Sequence, residues 1–301
     1  MKIIFFFLIF FGSLTLIQAQ EVTPRRWSHL PIGAHFAGTG AVWTEADIYF
    51  DPVLQAEDVK AEVLTVPVVY IYSFEWLNRS ARIDLSQTYQ KGTWEGLVNG
   101  EPTSIEREGP GDTRFRLAVN LVGAPPLEGK SYVAYRQEQK TETLVGAGLV
   151  VVAPTGEYYS DKLINLGNNR WVFRPQLGLV HTRHRWSYEV TSSLWYFSEN
   201  TDFWQNTTRK QDPLLAFQGH AIYTYRPGFW FAGSAGYGAG AENTINGVEK
   251  NDAAENVIWA LSTGLPIDRF TGLKLTWVQS ETKSGTGADT QSLLLAISRM
   301  F

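Results

Sequence analysis

The feature that most constrains this chain is a strict alternation of polar and apolar residues in segments of about ten residues. In the segment 111–121 one parity holds the polar residues Asp112, Arg114, Arg116 and Asn120, and the other holds Phe115, Leu117, Val119 and Leu121. The same period of two returns at 80–89, 185–197, 229–238 and 270–278. Successive side chains of a β-strand point to opposite faces, so each segment predicts a strand with one oily and one polar face.

Twelve such strands are expected, joined by connections that alternate between short and long. The strands are predicted near 33–43, 63–74, 80–90, 112–122, 141–153, 172–182, 185–197, 213–226, 228–239, 256–265, 270–280 and 290–301. Short connections lie near 75–79, 183–184, 226–228 and 266–269; long polar ones lie at 44–62, 91–111, 154–171, 198–212, 240–255 and 281–289. An even strand number with this alternation is typical of a transmembrane antiparallel up-and-down β-barrel. The connection 123–140 breaks the pattern and is expected to form a small helix or lid, and 21–32 and 123–140 are candidates for a partial plug.

The N-terminus predicts export. Lys2 is followed by an apolar stretch that ends in Gln18 and Ala19, so 1–19 are assigned to a signal peptide and 20–301 to one barrel domain. A membrane anchor is the alternative, but the apolar run is short and interrupted by polar residues. The chain has no cysteine, which favours export to a bacterial envelope and a fold without disulfides. Its net charge of −4 gives no basic surface that would attract nucleic acid.

Placing the oily parity against lipid leaves the polar parity inside. An arginine at the lipid midplane costs about 2–4 kcal/mol, so this orientation is strongly preferred in a membrane. The inner candidates are Arg82, Asp84, Asp112, Arg114, Arg116, Asn120, Glu189 and Lys274. They form either a salt-bridged structural network or the lining of a solute path. A soluble β-sandwich or lipocalin-like barrel would invert the two faces, but aromatic residues near the strand ends favour lipid contact.

The last ten residues, SLLLAISRMF, end in Phe301. This resembles the closing strand of Gram-negative outer-membrane barrels, whose terminal aromatic residue is recognised by the barrel-insertion machinery. The match departs from that pattern at Arg299, where an apolar residue is usual, and at Ala296, where glycine is common. The resemblance therefore implies outer-membrane lipids and the insertion machinery as partners.

The stretch 150–179 is the part of the sequence that is most distinctive of a protein family. It holds Pro154, Thr155, Gly156 and Tyr158, then 164–167, Asn169, Arg170 and Trp171, with supporting fragments at 27–33, 109–125 and 211–225. These residues resemble the family of outer-membrane transporters associated with the meta-pathway of phenol degradation. The resemblance implies passive passage of small hydrophobic or aromatic compounds. In the predicted extracellular loop, Asn165, Asn168, Asn169 and Arg170 are expected to fix the loop over the mouth; alternatively, Asn169, Arg170 and Trp171 contact a solute.

Catalytic signatures are sparse. The sequence has no Gly-x-Ser-x-Gly motif and no phosphate-binding loop, and no cofactor or metal is expected. His220 on a predicted strand leaves open a lipid-acting membrane enzyme. Three functions are carried forward: a non-enzymatic channel, such an enzyme, and a structural barrel without a solute path.

Overall fold

The computed structural model describes residues 22–50 and 54–301, so the predicted signal peptide lies outside the described residues. The strands are β1 (His35–Tyr49), β2 (Ala56–Trp76), β3 (Arg79–Val98), β4 (Glu101–Pro110), β5 (Thr113–Val122), β6 (Thr141–Ala153), β7 (Val172–Arg183), β8 (Trp186–Phe197), β9 (Asn200–Phe203), β10 (Thr207–Gln211), β11 (Leu214–Arg226), β12 (Phe229–Gly240), β13 (Asn243–Ile245), β14 (Val248–Glu249), β15 (Ala254–Pro266), β16 (Thr271–Thr282) and β17 (Gly287–Met300). One helix, α1 (Gly129–Glu138), lies between β5 and β6. Among these residues, no helix combines the length and apolarity needed to cross a bilayer.

Twelve strands close into an antiparallel barrel, which confirms the predicted fold. The order is β2-β1-β17-β16-β15-β12-β11-β8-β7-β6-β5-β3, and β3 pairs with β2 to complete the ring. The ring leaves no unpaired edge within the membrane, where each unsatisfied backbone group would cost several kcal/mol. The backbone of Phe301 exchanges two hydrogen bonds with His35 and so seals the junction of β17 and β1.

Short turns gather at one end of the barrel and long loops at the other. The turns at 77–78, 184–185 and 227–228 share an end with Phe301 and α1, and we call this the periplasmic end by the usual rule for such barrels. The helix in 123–140 was expected and is confirmed. The opposite, extracellular end carries the loop 154–171.

Two predicted loops are wrong, because the alternation of the strands continues beyond the bilayer. The regions 44–62 and 91–111 belong largely to strands: β1 reaches Tyr49, β2 begins at Ala56, and β3 folds back into β4 as a long hairpin. Inner residues of this extension, including Ala61, Val63 and Trp94, form a buried cluster that stabilises it. In the same way, 198–212 and 240–255 contribute β9, β10, β13 and β14 to a small four-stranded sheet.

The oily parity faces outward as predicted. Phe115, Leu117 and Leu121 are exposed on the outer surface of β5, whereas Arg116 and Ala118 are buried inside. Aromatic pairs stack on the outer surface near the strand ends, for example Trp186 with Tyr188 and Tyr72 with Phe74. Apolar side chains exposed around a closed barrel of this kind are the lipid-facing band of a transmembrane β-barrel.

Candidate functional site: the barrel interior

The N-terminal segment, residues 22–34, lies inside the barrel, where a partial plug was expected. Trp27 is buried in a slot between β6 and β7 whose inner positions are Gly146, Gly148 and Gly178. A Cβ atom on Gly178 would lie 2.1 Å from the Trp27 ring, so only glycine leaves room for the indole here. The indole Nε1 donates a 2.8 Å hydrogen bond to Thr191 Oγ1 on β8.

Glu189 on β8 fixes the segment through its backbone. Its carboxylate accepts hydrogen bonds from the backbone N–H groups of Arg25 at 3.1 Å and Arg26 at 3.2 Å. The Glu189 side chain is fully buried, and a buried carboxylate requires such partners. Glu189 faces the interior, as its parity predicts, but its carboxylate binds the backbone of the N-terminal segment.

A second polar group lies where β3 meets β5. The Asp84 carboxylate accepts hydrogen bonds from Arg82 Nη2 at 2.7 Å and from Arg116 Nη1 at 3.1 Å. Arg116 Nε donates to Gln176 on β7, and its guanidinium lies over the Trp27 ring at 4.6 Å. Asn120 donates to Ser80 Oγ near the periplasmic end. Arg82, Asp84 and Arg116 thus form one internal network that also packs against the N-terminal segment.

At the periplasmic end α1 holds the same segment from outside. Tyr132 on α1 donates to the backbone carbonyl of His29, and His29 Nε2 contacts the carbonyl of Pro125 at 2.8 Å. Tyr135 and Arg136 both donate to the Glu142 carboxylate. Burial lowers the pKa of the His29 imidazole below its ordinary value, and burial together with the Glu142 hydrogen bond raises the pKa of the Tyr135 hydroxyl to about 12.

The loop 154–171 folds over the extracellular mouth and is tied down by Asp112. The Asp112 carboxylate accepts from the backbone N–H of Gly156 and from both the backbone and side-chain N–H groups of Asn168. Asn165 bonds the backbone of Tyr159 and Lys162, and Asn169 donates to Asn200. Asp112 was expected to line the lumen, and the structure places it in the loop anchorage.

Two arginine side chains are buried beneath this loop. Arg170 donates from Nη2 to the amide oxygen of Gln211 and lies over the Phe197 ring at 4.5 Å. Arg209 shares a face of β10 with Gln211, donates from Nε to Asn243 and lies over Phe203. Burial, followed by the charge of Arg209, lowers the pKa of Arg170, and burial lowers the pKa of Arg209 to about 10.

Trp171 lies on the other side of the wall. Its side chain is exposed and stacks on Phe173, which belongs to the outward parity of β7. The structure therefore brings Arg170, but not the indole of Trp171, to the interior. Arg114 follows the inner parity of β5 close to the extracellular rim.

One wall of the barrel keeps open space on its inner side. Several residues of β16, β17 and β1 remain partly exposed although their side chains face the interior and not the lipid. They are Thr290, Ser292, Leu294, Ala296, Val278, Ser280 and Val42. Lys274 lies on the same wall toward the periplasmic end and is also partly exposed. By contrast, the inner residues Arg174, Gln176 and Thr191 on the opposite wall are buried. The open wall is thus built of small and apolar side chains with one lysine.

The features of an enzyme are incomplete. His220 Nδ1 lies 2.8 Å from Ser234 Oγ inside the barrel, and no partner contacts the buried Nε2 atom. Glu189 is opposite His220 in the β8–β11 register, but its carboxylate is bonded to the N-terminal segment. Both side chains of this pair are buried inside the barrel. Within 22–50 and 54–301 no cluster of three metal-binding side chains occurs.

Several interior residues were missed from the sequence. Trp27 and Arg26 precede the first strand, where no periodic pattern assigns a face. Arg209 lies in 198–212, where the sequence predicts a loop, and its position depends on the β10–β13 pairing. Arg174 carried a usable signal, because it has the inner parity of a correctly predicted strand.

A closed twelve-stranded barrel with an oily exterior and a polar, partly open interior defines the class: an outer-membrane β-barrel of a Gram-negative bacterium. The particular family follows from a family model described as "Putative MetA-pathway of phenol degradation", which matches residues 47–280. The chain belongs to this family. No curated protein sequence matches it significantly.

A solved structure shares this fold, and two others are more distantly similar. An outer membrane channel from Pseudomonas putida F1 has a TM-score of 0.76 and 21% identity, over 93% of this chain and 100% of the other. The translocator domain of the autotransporter NalP from Neisseria meningitidis has a TM-score of 0.49 and 9% identity, over 91% and 90% of the two chains. A monoaromatic hydrocarbon channel, CymD, has a TM-score of 0.39 and 9% identity, over 90% and 88%. The first supports the barrel architecture, and the other two are too dissimilar to support more.

Proposed function

We propose that this protein is a non-enzymatic channel that lets small hydrophobic or aromatic compounds cross the outer membrane passively. The observation that carries the proposal is the partly exposed inner face of β16, β17 and β1. Side chains such as Leu294 and Val42 can line a path for an apolar solute at little desolvation cost, whereas a fully packed interior offers none. Membership in a family named for phenol degradation, and the likeness to a P. putida channel, agree with it.

The N-terminal segment and the loop 154–171 limit where a solute can pass. The segment fills the side near β5–β8 through Trp27, and its Val22 packs against Ile258 and Ala260 on β15; the inner residues of β17 and β1 remain partly exposed. The loop covers the extracellular mouth and is held by Asp112 rather than by the open wall. A solute would therefore pass beside the segment, along the wall built by β16, β17 and β1.

A pair of neighbouring leucines on β17 provides the test. Leu294 faces the open wall, and Leu295 is 53% exposed on the lipid side. We expect Leu294→Trp to narrow the path and slow uptake of labelled phenolic and hydrophobic arenes into cells that carry it in place of the native protein. Leu295→Trp adds the same volume toward lipid and should leave uptake unchanged. Equal uptake in the deletion strain, the native strain and Leu294→Trp would remove the channel proposal and favour a structural barrel.

The same proposal includes the partners of the outer surface. The exposed apolar band would contact outer-membrane lipids, and Phe301, which is 66% exposed at the barrel seam, is the residue that the insertion machinery would recognise. His35 stacks on Phe301 at 5.8 Å and holds its ring at the periplasmic rim.

A further inference from the structure

A group of basic side chains lies at the periplasmic ends of β6, β7, β8 and β11, and we call this group the basic rim. All of its members are exposed and stand at or beside a strand end: Lys140, Arg183, Arg185 and Arg226. None of the four forms an ion pair among the described residues, whereas Arg299, at the same end of the barrel, lies 3.8 Å from Asp268. Within the part of the chain that the structure describes, no carboxylate neutralises the basic rim by direct contact.

The strand pairing gathers the basic rim on one side of the barrel. β6, β7, β8 and β11 are consecutive neighbours in the ring. His184, between Arg183 and Arg185, donates its backbone N–H to the carbonyl of Lys140 at 2.6 Å. Arg185 reaches in the other direction, where Nη1 donates to the Tyr223 hydroxyl of β11 at 3.3 Å. The four cations therefore form one patch rather than isolated charges around the rim.

Aromatic rings border the basic rim on the outer surface. Trp186 stacks on Tyr188, and its ring centroid is 5.0 Å from that of Tyr223. The guanidinium of Arg226 lies 5.9 Å from the centroid of the Phe229 ring. In transmembrane barrels such aromatic girdles mark the interface between the hydrocarbon and the headgroups. The basic rim is thus placed where the phosphate groups of the periplasmic leaflet lie.

Toward the bilayer centre the same surface carries a shallow groove along β11 and β12. The outward residues here are small and pair directly with one another: Gly219 with Ala235, and Ala221 with Gly233. A Cβ atom on either glycine would meet no other atom within 4 Å. Larger side chains border the groove on both sides, namely Tyr188 and Val190 on β8, and Trp259 and Leu261 on β15.

The groove leads away from the basic rim. Tyr223, which bonds Arg185, is four residues from Gly219 on β11, a distance of about 13 Å along an extended strand. A lipid whose headgroup lies at the basic rim can therefore place an acyl chain along the groove.

The opposite ends of these strands have the other sign of charge. Glu199 follows β8, Asp212 precedes β11, and Glu255 begins β15, and all three side chains are exposed. Clusters of four or more Lys and Arg residues at a membrane surface attract anionic lipids, and each cation contributes about fivefold in affinity. The charge on this side of the barrel thus favours an anionic lipid at the periplasmic end.

We propose that the basic rim binds an anionic phospholipid of the periplasmic leaflet, with its phosphate among Arg183, Arg185 and Arg226 and one acyl chain along the groove. This inference goes beyond the channel function and does not depend on the solute. A zwitterionic phospholipid also brings an ammonium group, which the cations repel. A free phosphate ion would use the cations without the groove, and a periplasmic protein would not reach the groove, because the groove lies at the depth of the acyl chains.

The test measures which lipid the full mature chain retains in a neutral detergent. The protein receives equal amounts of phosphatidylglycerol and phosphatidylethanolamine with identical acyl chains, and native mass spectrometry counts the bound lipids. We expect phosphatidylglycerol to be favoured by at least about tenfold. The triple variant Arg183→Gln, Arg185→Gln, Arg226→Gln should bring the ratio to within about twofold of one, and Arg183→Gln alone should lower it about threefold to fivefold.

The matched control is the triple variant Arg79→Gln, Arg269→Gln, Arg299→Gln. It removes the same three charges from exposed positions at the same end of the barrel but outside the basic rim, so the lipid ratio should not change. Gly233→Leu keeps every charge and fills the groove, and it should lower the retained phosphatidylglycerol at least about threefold. Heat-modifiable migration on gels checks that each variant is folded.

Three results would overturn the inference. In the first, the native protein retains the two lipids equally. In the second, the control triple variant lowers the ratio as much as the basic-rim triple variant. In the third, phosphatidylglycerol is displaced by excess inorganic phosphate or retained fully by Gly233→Leu, which would mean that the acyl chain contributes nothing. None of these results bears on the entry of arenes into cells, so the proposed channel stands or falls separately.

Discussion

Gly178 controls whether the N-terminal segment can stay docked. Replacing it by alanine places a Cβ atom 2.1 Å from Cε2 and 2.3 Å from Nε1 of Trp27. The ring is rigid and packs between two strands, so it must leave the slot rather than adjust. Displacing a buried Trp costs about 3–5 kcal/mol, and its hydrogen bond to Thr191 contributes about 1 kcal/mol.

A loss of about 4 kcal/mol lowers the ratio of docked to released segment by about a thousandfold. The chain has no native cysteine, so Ser28→Cys gives a single labelling site on the segment. We expect a membrane-impermeant maleimide to label Ser28→Cys at least about a hundredfold faster when Gly178→Ala is also present. Steady conductance in planar bilayers should rise in parallel, because the released segment no longer fills the β5–β8 side.

Gly219→Ala on β11 is the matched control, since a Cβ atom there meets no other atom within 4 Å. It makes the same chemical change in another barrel strand and should behave like the native protein. The reasoning is refuted if Gly178→Ala folds, as judged by heat-modifiable migration on gels, and yet labels and conducts at the native rate.

Two further predictions concern the periplasmic rim. Because burial lowers the pKa of His29, the docked segment binds fewer protons than the released one; docking should be independent of pH above about 6.5 and should weaken as the pH falls below it. The rate at which Ser28→Cys is labelled should therefore rise as the pH is lowered from 7.5 to 5. A His29→Gln variant that still showed this rise would contradict the assignment of the pH dependence to His29. In that case Glu142 would be the next group to replace. Phe301→Ala should refold in detergent with stability changed by less than about 1 kcal/mol, because the ring is exposed, but it should assemble more slowly in cells; equal assembly in cells would count against recognition of Phe301.

The sequence by itself determined the wall of this protein. On β5 and β17 the side chains alternate between lipid and interior, so apolar and polar residues must alternate in the sequence. This period of two predicts the strands, the face of each residue and the turns between strands. Beyond the bilayer the same alternation persists in β3 and β4, but polar residues such as those in 101–110 are equally suited to loops. Only the packing of Ile105 on β4 against the cluster of Trp94, Ala61 and Val63 decides that this region pairs with β3 as a hairpin.

The contents of the barrel were decided by the tertiary structure. Trp27 and Thr191 are 164 residues apart, and the slot for the indole exists only because β6 and β7 bring three glycines together. The sequence predicts Asp112 in the lumen and Arg170 either fixing the loop or contacting a solute; the fold assigns Asp112 to the loop anchorage and buries Arg170 with two unpartnered N–H groups. The alternation shows to which face of the barrel a residue belongs, because every strand of the barrel has one face in contact with lipid. It does not record which residues meet inside, because that depends on how distant strands are brought together when the barrel closes.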